Sequence, residues 1–177
     1  MRRTHPPTLM SPVTRAVRLR RGRAGAGTAP GDVTLHVRRA TRRGWVPGAA
    51  TLRHWATLAL GRQARGRELS VLVVGATRSR SLNRRFRNRN YATNVLSFSP
   101  AAPGPLLGDL VICPEVLRRE ARAQGKAVRA HWTHLVIHGA LHLIGYDHSR
   151  PIDARRMERR EVRLLRVLGL PNPYRSA

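Results

Sequence analysis

The sequence predicts a single α+β domain with about four strands and about five helices. Four segments show the alternating or β-branched apolar pattern of strands, and five have the composition or apolar spacing of helices. The two kinds of segment do not alternate as regularly as a βαβ fold requires, which favours a mixed sheet of the α+β class. With 177 residues, the chain is long enough to bury one substantial core.

The predicted strands lie in the N-terminal and middle parts of the chain. Residues 33–37 alternate apolar and polar side chains, which is typical of a half-buried strand. Residues 68–75 form a β-branched run that suits the centre of a sheet. Two further strands are expected at residues 94–98 and 107–112, joined by a link rich in proline and glycine.

The predicted helices begin near Pro47, Ser79, Pro114, Ala127 and Pro151 and end near Leu60, Phe86, Gly125, Ile144 and Gly169, respectively. The proline that opens the third helix costs no internal hydrogen bond, because the first N–H groups of a helix have no partner within it. An irregular loop is expected over residues 87–93. The fourth helix is apolar on most sides, so we expect it at the centre of the domain.

Three histidines in and after this central helix predict a metal site. His138 and His142 are four residues apart, so their rings lie one turn apart on the same helical face. Gly145 can adopt the left-handed conformation that ends a helix, and a chain that turns back there can bring His148 to the same point. Three imidazoles that leave the fourth position to water form a catalytic zinc site. We therefore predict one zinc ion per chain, bound by His138, His142 and His148.

Two upstream histidines make a different choice of ligands possible. His131 and His134 lie on nearly the same helical stripe, and His134 could pair with His138. However, the turn at Gly145 follows His142 closely, so a returning loop reaches the last helical turn more easily than the one before. We expect His131 and His134 to be surface or entry-face residues.

The residue after the first predicted ligand limits the chemistry. The spacing of the three histidines is also that of metzincin proteases, which carry a glutamate base directly after the first histidine. Here that residue is Gly139, which can transfer no proton, so a peptidase is only a minor alternative. Asp147 is the nearest acid in sequence, and it could act as a substitute base, support the metal site or make a loop hydrogen bond.

The charge of the chain indicates a polyanionic partner. Lysine and arginine number 34 against nine acidic residues, for a net charge of +25. Lys126 is the only lysine, and arginine can both pair with phosphate and stack on nucleobases, which favours RNA or DNA. Cys113 is the only cysteine, so it can form no internal disulfide and indicates no oxidising compartment. No apolar run approaches the roughly 18 residues of a membrane span.

Residues 1–31 are expected to form a separate basic arm. They contain seven arginines and no acidic residue, and they lack the apolar core of a secretory signal. We expect this arm to be disordered, with RNA contact or organelle targeting as alternative functions. The folded domain is predicted to span residues 32–174.

Several segments carry a specific resemblance to one protein family. The histidine segment at residues 134–148 and the segment YATNVLSF at residues 91–98 resemble those of the YbeY family of endoribonucleases. The similarity extends to residues 82–87 and 107–112, to Met157 and Glu161, and to residues 168–174. In all it covers about residues 32–174. One departure is Asn94, where many members have aspartate.

This resemblance implies a fold, an activity and a set of functional residues. The fold would be zincin-like, with one metal taken to be zinc and bound by His138, His142 and His148. The activity would be cleavage of single-stranded RNA in maturation of the small-subunit ribosomal RNA three-prime end and in ribosome quality control. The expected partners are ribosomal RNA and the small subunit or its assembly factors, in the bacterial cytoplasm. The functionally required arginine of the family falls on Arg87, so Arg87 and the ligand His138 are the predicted catalytic residues.

A second hypothesis is a ribosome-assembly factor that binds RNA without turnover and uses zinc for folding. The basic charge supports both hypotheses equally. The open coordination position favours the nuclease, because structural zinc sites usually have four protein ligands. The sequence does not show whether water or a ribose 2′-hydroxyl attacks the phosphate.

Overall fold

The computed structural model describes residues 14–15 and 31–175. The strands are β1 (Thr14–Arg15), β2 (Thr34–Arg39), β3 (Glu68–Val73), β4 (Val95–Ser99) and β5 (Leu106–Ile112). The helices are α1 (Ala49–Leu60), α2 (Ala76–Arg87), α3 (Pro114–Ala123), α4 (Val128–Leu143) and α5 (Pro151–Val167), with a 3-10 turn at Gly61–Ala64. The four predicted strands and five predicted helices are thus confirmed, with ends that differ by at most three residues.

The strands form one mixed sheet in the order β1-β4-β5-β3-β2. β3 pairs in parallel with β2 on one side and with β5 on the other, whereas β4 and β5 are antiparallel. The β-branched run of β3 therefore lies inside the sheet, as predicted. Of the predicted arm, residues 1–31, only Gly31 and the two residues of β1 are among the described residues. β1 pairs in parallel with β4.

Both faces of the sheet are covered by helices. Val71 and Val73 of β3 belong to the larger core, which also contains the buried residues of α1 and α4. The alternate residues Leu72 and Val74 face the other side, where Phe86 of α2 packs against a smaller core. Because α4 is buried between the sheet and its neighbouring helices, its prediction as the central helix is confirmed.

A glycine sets the distance between α4 and the sheet. A Cβ atom at Gly139 would lie 2.8 Å from Leu110 Cδ2 of β5, closer than such atoms normally approach. The Ser97 hydroxyl of β4 donates to the Gly139 carbonyl at 3.4 Å. Gly139 therefore allows α4 to lie directly against the sheet.

We expect Gly139→Val to lower the free energy of unfolding by about 1–3 kcal/mol, the range typical of an overpacked core. Urea unfolding of the purified protein measures this change. Gly104→Val is the matched control, because a Cβ atom at Gly104 meets nothing within 4 Å. An unchanged unfolding midpoint for Gly139→Val would contradict the close helix–sheet contact.

The end of α4 has the geometry that the sequence predicts. Gly145 has a φ of +91°, which strains any residue with a side chain. The Tyr146 N–H donates to the Leu141 carbonyl at 3.1 Å, and the Gly145 N–H donates to the His142 carbonyl at 3.1 Å. This pattern ends the helix and turns the chain back toward it. Among residues 31–175, no helix is long and apolar enough to cross a membrane.

Candidate metal centre

The three predicted ligands come together at the C-terminal end of α4. The Nε2 atoms of His138 and His142 lie 3.0 Å apart. The ring of His148 lies nearly parallel to that of His138, with centroids 5.5 Å apart, and its centroid is 4.9 Å from that of His142. One ring nitrogen from each histidine lies within 4.8 Å of the other two, so the group could hold a metal ion.

The hydrogen bonds of the two helical histidines define where their protons lie. His138 Nδ1 is 2.8 Å from Glu161 Oε1, and His142 Nδ1 is 2.8 Å from the Tyr146 carbonyl oxygen. A carboxylate and a carbonyl only accept hydrogen bonds, so each neutral ring carries its proton on Nδ1. Both Nε2 atoms are then unprotonated, and two lone pairs face each other across 3.0 Å. A cation bound between these nitrogens satisfies both, so the donor set fits a metal.

The third histidine adds a ring nitrogen without a partner. His148 Nε2 is buried and has no hydrogen-bond partner in the part of the chain that the structure describes. Asp147 fixes the loop at this point, because its carboxylate accepts from the His148 N–H at 2.8 Å and from the Ser149 hydroxyl at 2.5 Å. The Ser149 hydrogen bond lowers the pKa of Asp147. These contacts favour the loop hydrogen bond among the three roles considered for Asp147.

The surroundings keep the imidazoles of His142 and His148 neutral. Burial, together with repulsion from His138 and His148, lowers the pKa of His142 to about 3. Burial and the neighbouring His138 also lower the pKa of His148. Because a metal binds the neutral imidazole, both shifts keep the ligands ready to bind over a wide pH range.

A buried carboxylate lies behind the metal centre. Glu161 of α5 is 0% exposed and accepts hydrogen bonds from His138, from His134 Nε2 at 2.8 Å and from the Tyr174 hydroxyl. Burial alone would raise the pKa of Glu161, but its interactions with His138 and His134, both of which are hydrogen-bonded to it, outweigh burial and lower this pKa. Burial and the adjacent carboxylate raise the pKa of Tyr174, so its hydroxyl keeps the proton that it donates.

His134, His138 and Glu161 also satisfy the distances of a metal-binding group. Their facing atoms are already joined by two hydrogen bonds of 2.8 Å, each of which places a proton where a metal would have to sit. We therefore interpret this group as support for the three-histidine centre. Sequence reasoning missed the role of Glu161, although an acid in line with the apolar residues Met157 and Leu165 was an available signal.

Of the two positions predicted for His131 and His134, the surface is wrong, and an entry face stays a prediction. The two residues are 5% and 6% exposed. His131 Nε2 lies 3.0 Å from Glu120 Oε2 of α3, and His134 is bonded to Glu161 of α5. Helical periodicity placed both histidines on one stripe, but it could not show that α3 and α5 cover that stripe and supply buried acceptors.

Arg87 is not among the residues that meet at the metal centre. It is the last residue of α2, which covers the face of the sheet opposite α4. Its side chain is half-buried, and its Nε atom is buried without a hydrogen-bond partner among residues 31–175. Burial lowers the pKa of Arg87, an effect that the nearby Tyr91 partly opposes. The structure therefore leaves a buried donor of Arg87 available for an acceptor.

Comparisons with known proteins agree on one family. Residues 47–169 match the family model described as Endoribonuclease YbeY. A protein of that name from Stutzerimonas stutzeri is 51% identical over 136 residues, which cover 74% of this chain and 85% of the relative. Another from Nitrosococcus oceani is 43% identical over 151 residues, or 82% of this chain and 99% of the relative.

A solved structure shows a related fold. The solution structure of TM1509 from Thermotoga maritima is similar with a TM-score of 0.50, over 78% of this chain and 94% of that chain. Its sequence is 22% identical, so this similarity bears on the fold alone.

Proposed function

The chain belongs to the YbeY family of endoribonucleases, and from this premise we propose that it is a zinc-dependent enzyme that cleaves single-stranded RNA. The observation that carries the proposal is the convergence of three imidazoles, two with facing unprotonated nitrogens and one with a buried nitrogen lacking a partner. Such a donor set suits zinc and leaves room for a further ligand.

The proposed ligands are His138, His142 and His148. Their neutral rings would present nitrogen lone pairs to the ion, while Glu161 and the Tyr146 carbonyl hold the Nδ1 protons of the two helical histidines. When bound, zinc supplies a Lewis acid for a phosphoryl oxygen and lowers the pKa of a bound water. Gly139 provides no proton-transfer group beside the first ligand, in contrast to the glutamate of metzincin peptidases.

Arg87 is proposed to bind the phosphate that reacts. Its buried Nε lacks an acceptor among the described protein groups, and a phosphate oxygen is a suitable acceptor. The planar guanidinium can donate two hydrogen bonds and hold negative charge as it develops in the transition state. In this proposal the reacting phosphate would lie between the metal and Arg87, since the arginine itself is not part of the histidine cluster.

Exposed arginines outside the metal centre would attract the phosphates of the RNA backbone. Exposed arginines occur along α2 and α5, at Arg78, Arg80, Arg84, Arg85, Arg155, Arg156, Arg159, Arg163 and Arg166. Exposed arginines of this kind neutralise phosphates and release counterions on binding. We propose the three-prime region of small-subunit ribosomal RNA as substrate, the small subunit or its assembly factors as partners, and the bacterial cytoplasm as the place of action. Family membership and the bacterial origin of the relatives support these finer proposals.

The zinc-loaded protein is expected to cleave a single-stranded RNA, to lose this activity on chelation and to regain it when zinc is added back. The reason is that the three histidines only hold the ion, and the ion supplies the Lewis acid that the reaction needs. Product formation on a gel measures cleavage, and a duplex of the same sequence, which should resist cleavage, is the control. If zinc-bound protein binds several single-stranded RNAs and cleaves none, it is an assembly factor that binds RNA without turnover.

A further inference from the structure

Glu161 joins the metal centre to a second helix and to the C-terminal segment. It projects from α5, is fully buried and receives hydrogen bonds from three side chains on two other parts of the chain. Its Oε1 atom contacts His138 Nδ1 at 2.8 Å, directly behind the nitrogen proposed to bind zinc. Burying a carboxylate is costly unless partners compensate for the lost water, and here three donors do so.

The contact with Glu161 determines the tautomer and the orientation of the His138 ring. An imidazole that donates from Nδ1 has its lone pair on Nε2, so Glu161 both selects the tautomer and sets the orientation of the ring. His142 is oriented in the same way, but by the main-chain carbonyl of Tyr146. His138 is therefore the helical ligand whose orientation depends on a side chain that mutation can remove.

The second oxygen of Glu161 is fixed from the opposite side. Oε2 accepts from His134 Nε2 at 2.8 Å and from the Tyr174 hydroxyl. The segment that carries Tyr174 is itself held, because Lys126 Nζ donates to the Pro173 carbonyl at 2.7 Å. Rotation of the Glu161 carboxylate would break these hydrogen bonds, so the network keeps Oε1 directed at His138.

We propose that Glu161 is a positioning residue for the metal, holding His138 in the tautomer and orientation that bind zinc, and that His134 and Tyr174 lock Glu161 in place. The proposal rests on the proposed function of the three-histidine centre and extends it to a residue that touches neither metal nor substrate. A carboxylate behind a metal-bound histidine commonly changes metal affinity by about 10- to 100-fold.

The decisive variant is Glu161→Gln, which keeps the shape of the side chain. A glutamine side chain has one carbonyl oxygen and one NH2 group, so it cannot accept from both His134 and His138. We expect the folded variant to bind zinc about 10- to 100-fold more weakly than the wild type, as measured by competition with a chromophoric chelator. Tyr174→Phe removes one of the two donors to Oε2 and should weaken zinc binding by a smaller factor.

Glu120→Gln is the matched control. Glu120 also accepts from a buried histidine of α4, His131 at 3.0 Å, and from Asn94 at 2.8 Å, but this group lies outside the metal centre. Both variants should lose stability, and only Glu161→Gln should lose zinc affinity. Equal zinc affinity of Glu161→Gln and the wild type, or an equal loss in Glu120→Gln, would overturn the proposal.

A measurement on the unmodified protein decides the question if Glu161→Gln does not fold. In zinc-loaded protein, 15N shifts of the imidazoles distinguish metal-bound from protonated nitrogens. We expect His138 to show metal at Nε2 and a slowly exchanging proton at Nδ1, whereas metal at Nδ1 would refute the inference. If the wild type binds no zinc at all, the proposed function itself fails, and the two failures are thereby told apart.

Discussion

His142→Ala should reduce bound zinc from about one ion per chain to near zero and abolish cleavage of RNA. His142 Nε2 lies 3.0 Å from His138 Nε2, so its removal takes away one of the three facing nitrogens. Two imidazoles leave a weak site, because a catalytic zinc is ordinarily held by three protein ligands. Elemental analysis of the purified protein measures zinc content, and circular dichroism verifies that the fold is retained.

His131→Ala is the control for this change. His131 is another buried histidine of α4, and it is bonded to Glu120 of α3 instead of facing the metal centre. Its removal should cost some stability and leave zinc content unchanged. A full complement of zinc in His142→Ala, or its loss in His131→Ala, would show that the ligands have been assigned wrongly.

Arg87→Ala should slow RNA cleavage by about 10²- to 10³-fold without changing zinc content, the scale for loss of one donor to a developing negative charge. The side chain is half-buried and its Nε lacks an acceptor within the described protein, so the proposal assigns this donor to a phosphate oxygen. Arg87→Lys should restore little activity, because an ammonium group cannot reproduce the planar fork. Single-turnover cleavage with saturating enzyme measures the chemical step.

The matched control is Arg84→Ala, which removes an exposed arginine from the preceding turn of the same helix. Its effect should be confined to a modest loss of RNA affinity, which fades as salt is raised. The wild type and the three variants must be compared at the same salt concentration and with RNA binding saturated. Cleavage by Arg87→Ala at the wild-type rate would remove Arg87 from the mechanism.

The helices and strands could be predicted from the sequence because each of them depends on a pattern within its own residues. Alternation and β-branching predicted the strands, and the four-residue spacing of His138 and His142 with the turn at Gly145 predicted their convergence. The predicted start of α2 lies three residues after the observed start at Ala76, because the side chain that caps this helix is distant in sequence. The Ala76 N–H is bound by Glu115 of α3 at 2.9 Å, so the helix begins without a local capping residue.

Properties that depend on distant parts of the chain could not be predicted. The parallel pairing of β3 with both β2 and β5 depends on how the helices pack across the sheet. The burial of His134 and the role of Glu161 depend on α5, whose carboxylate lies 27 residues along the chain from that histidine. The spacing of residues within α4 therefore could not predict that α5 buries His134 or that Glu161 binds it.

The close contact of Gly139 with Leu110 also restricts the evolution of this site. A peptidase of similar histidine spacing needs a glutamate at this position, and here the space for even its first carbon is taken by the core. To admit that side chain, either the buried Leu110 would have to repack or α4 would have to move away from the sheet and carry His138 and His142 with it. Peptide hydrolysis by the metzincin route is therefore not one substitution away from this protein, although the ligand spacing is the same. The barrier between the two chemistries is a packing distance in the core.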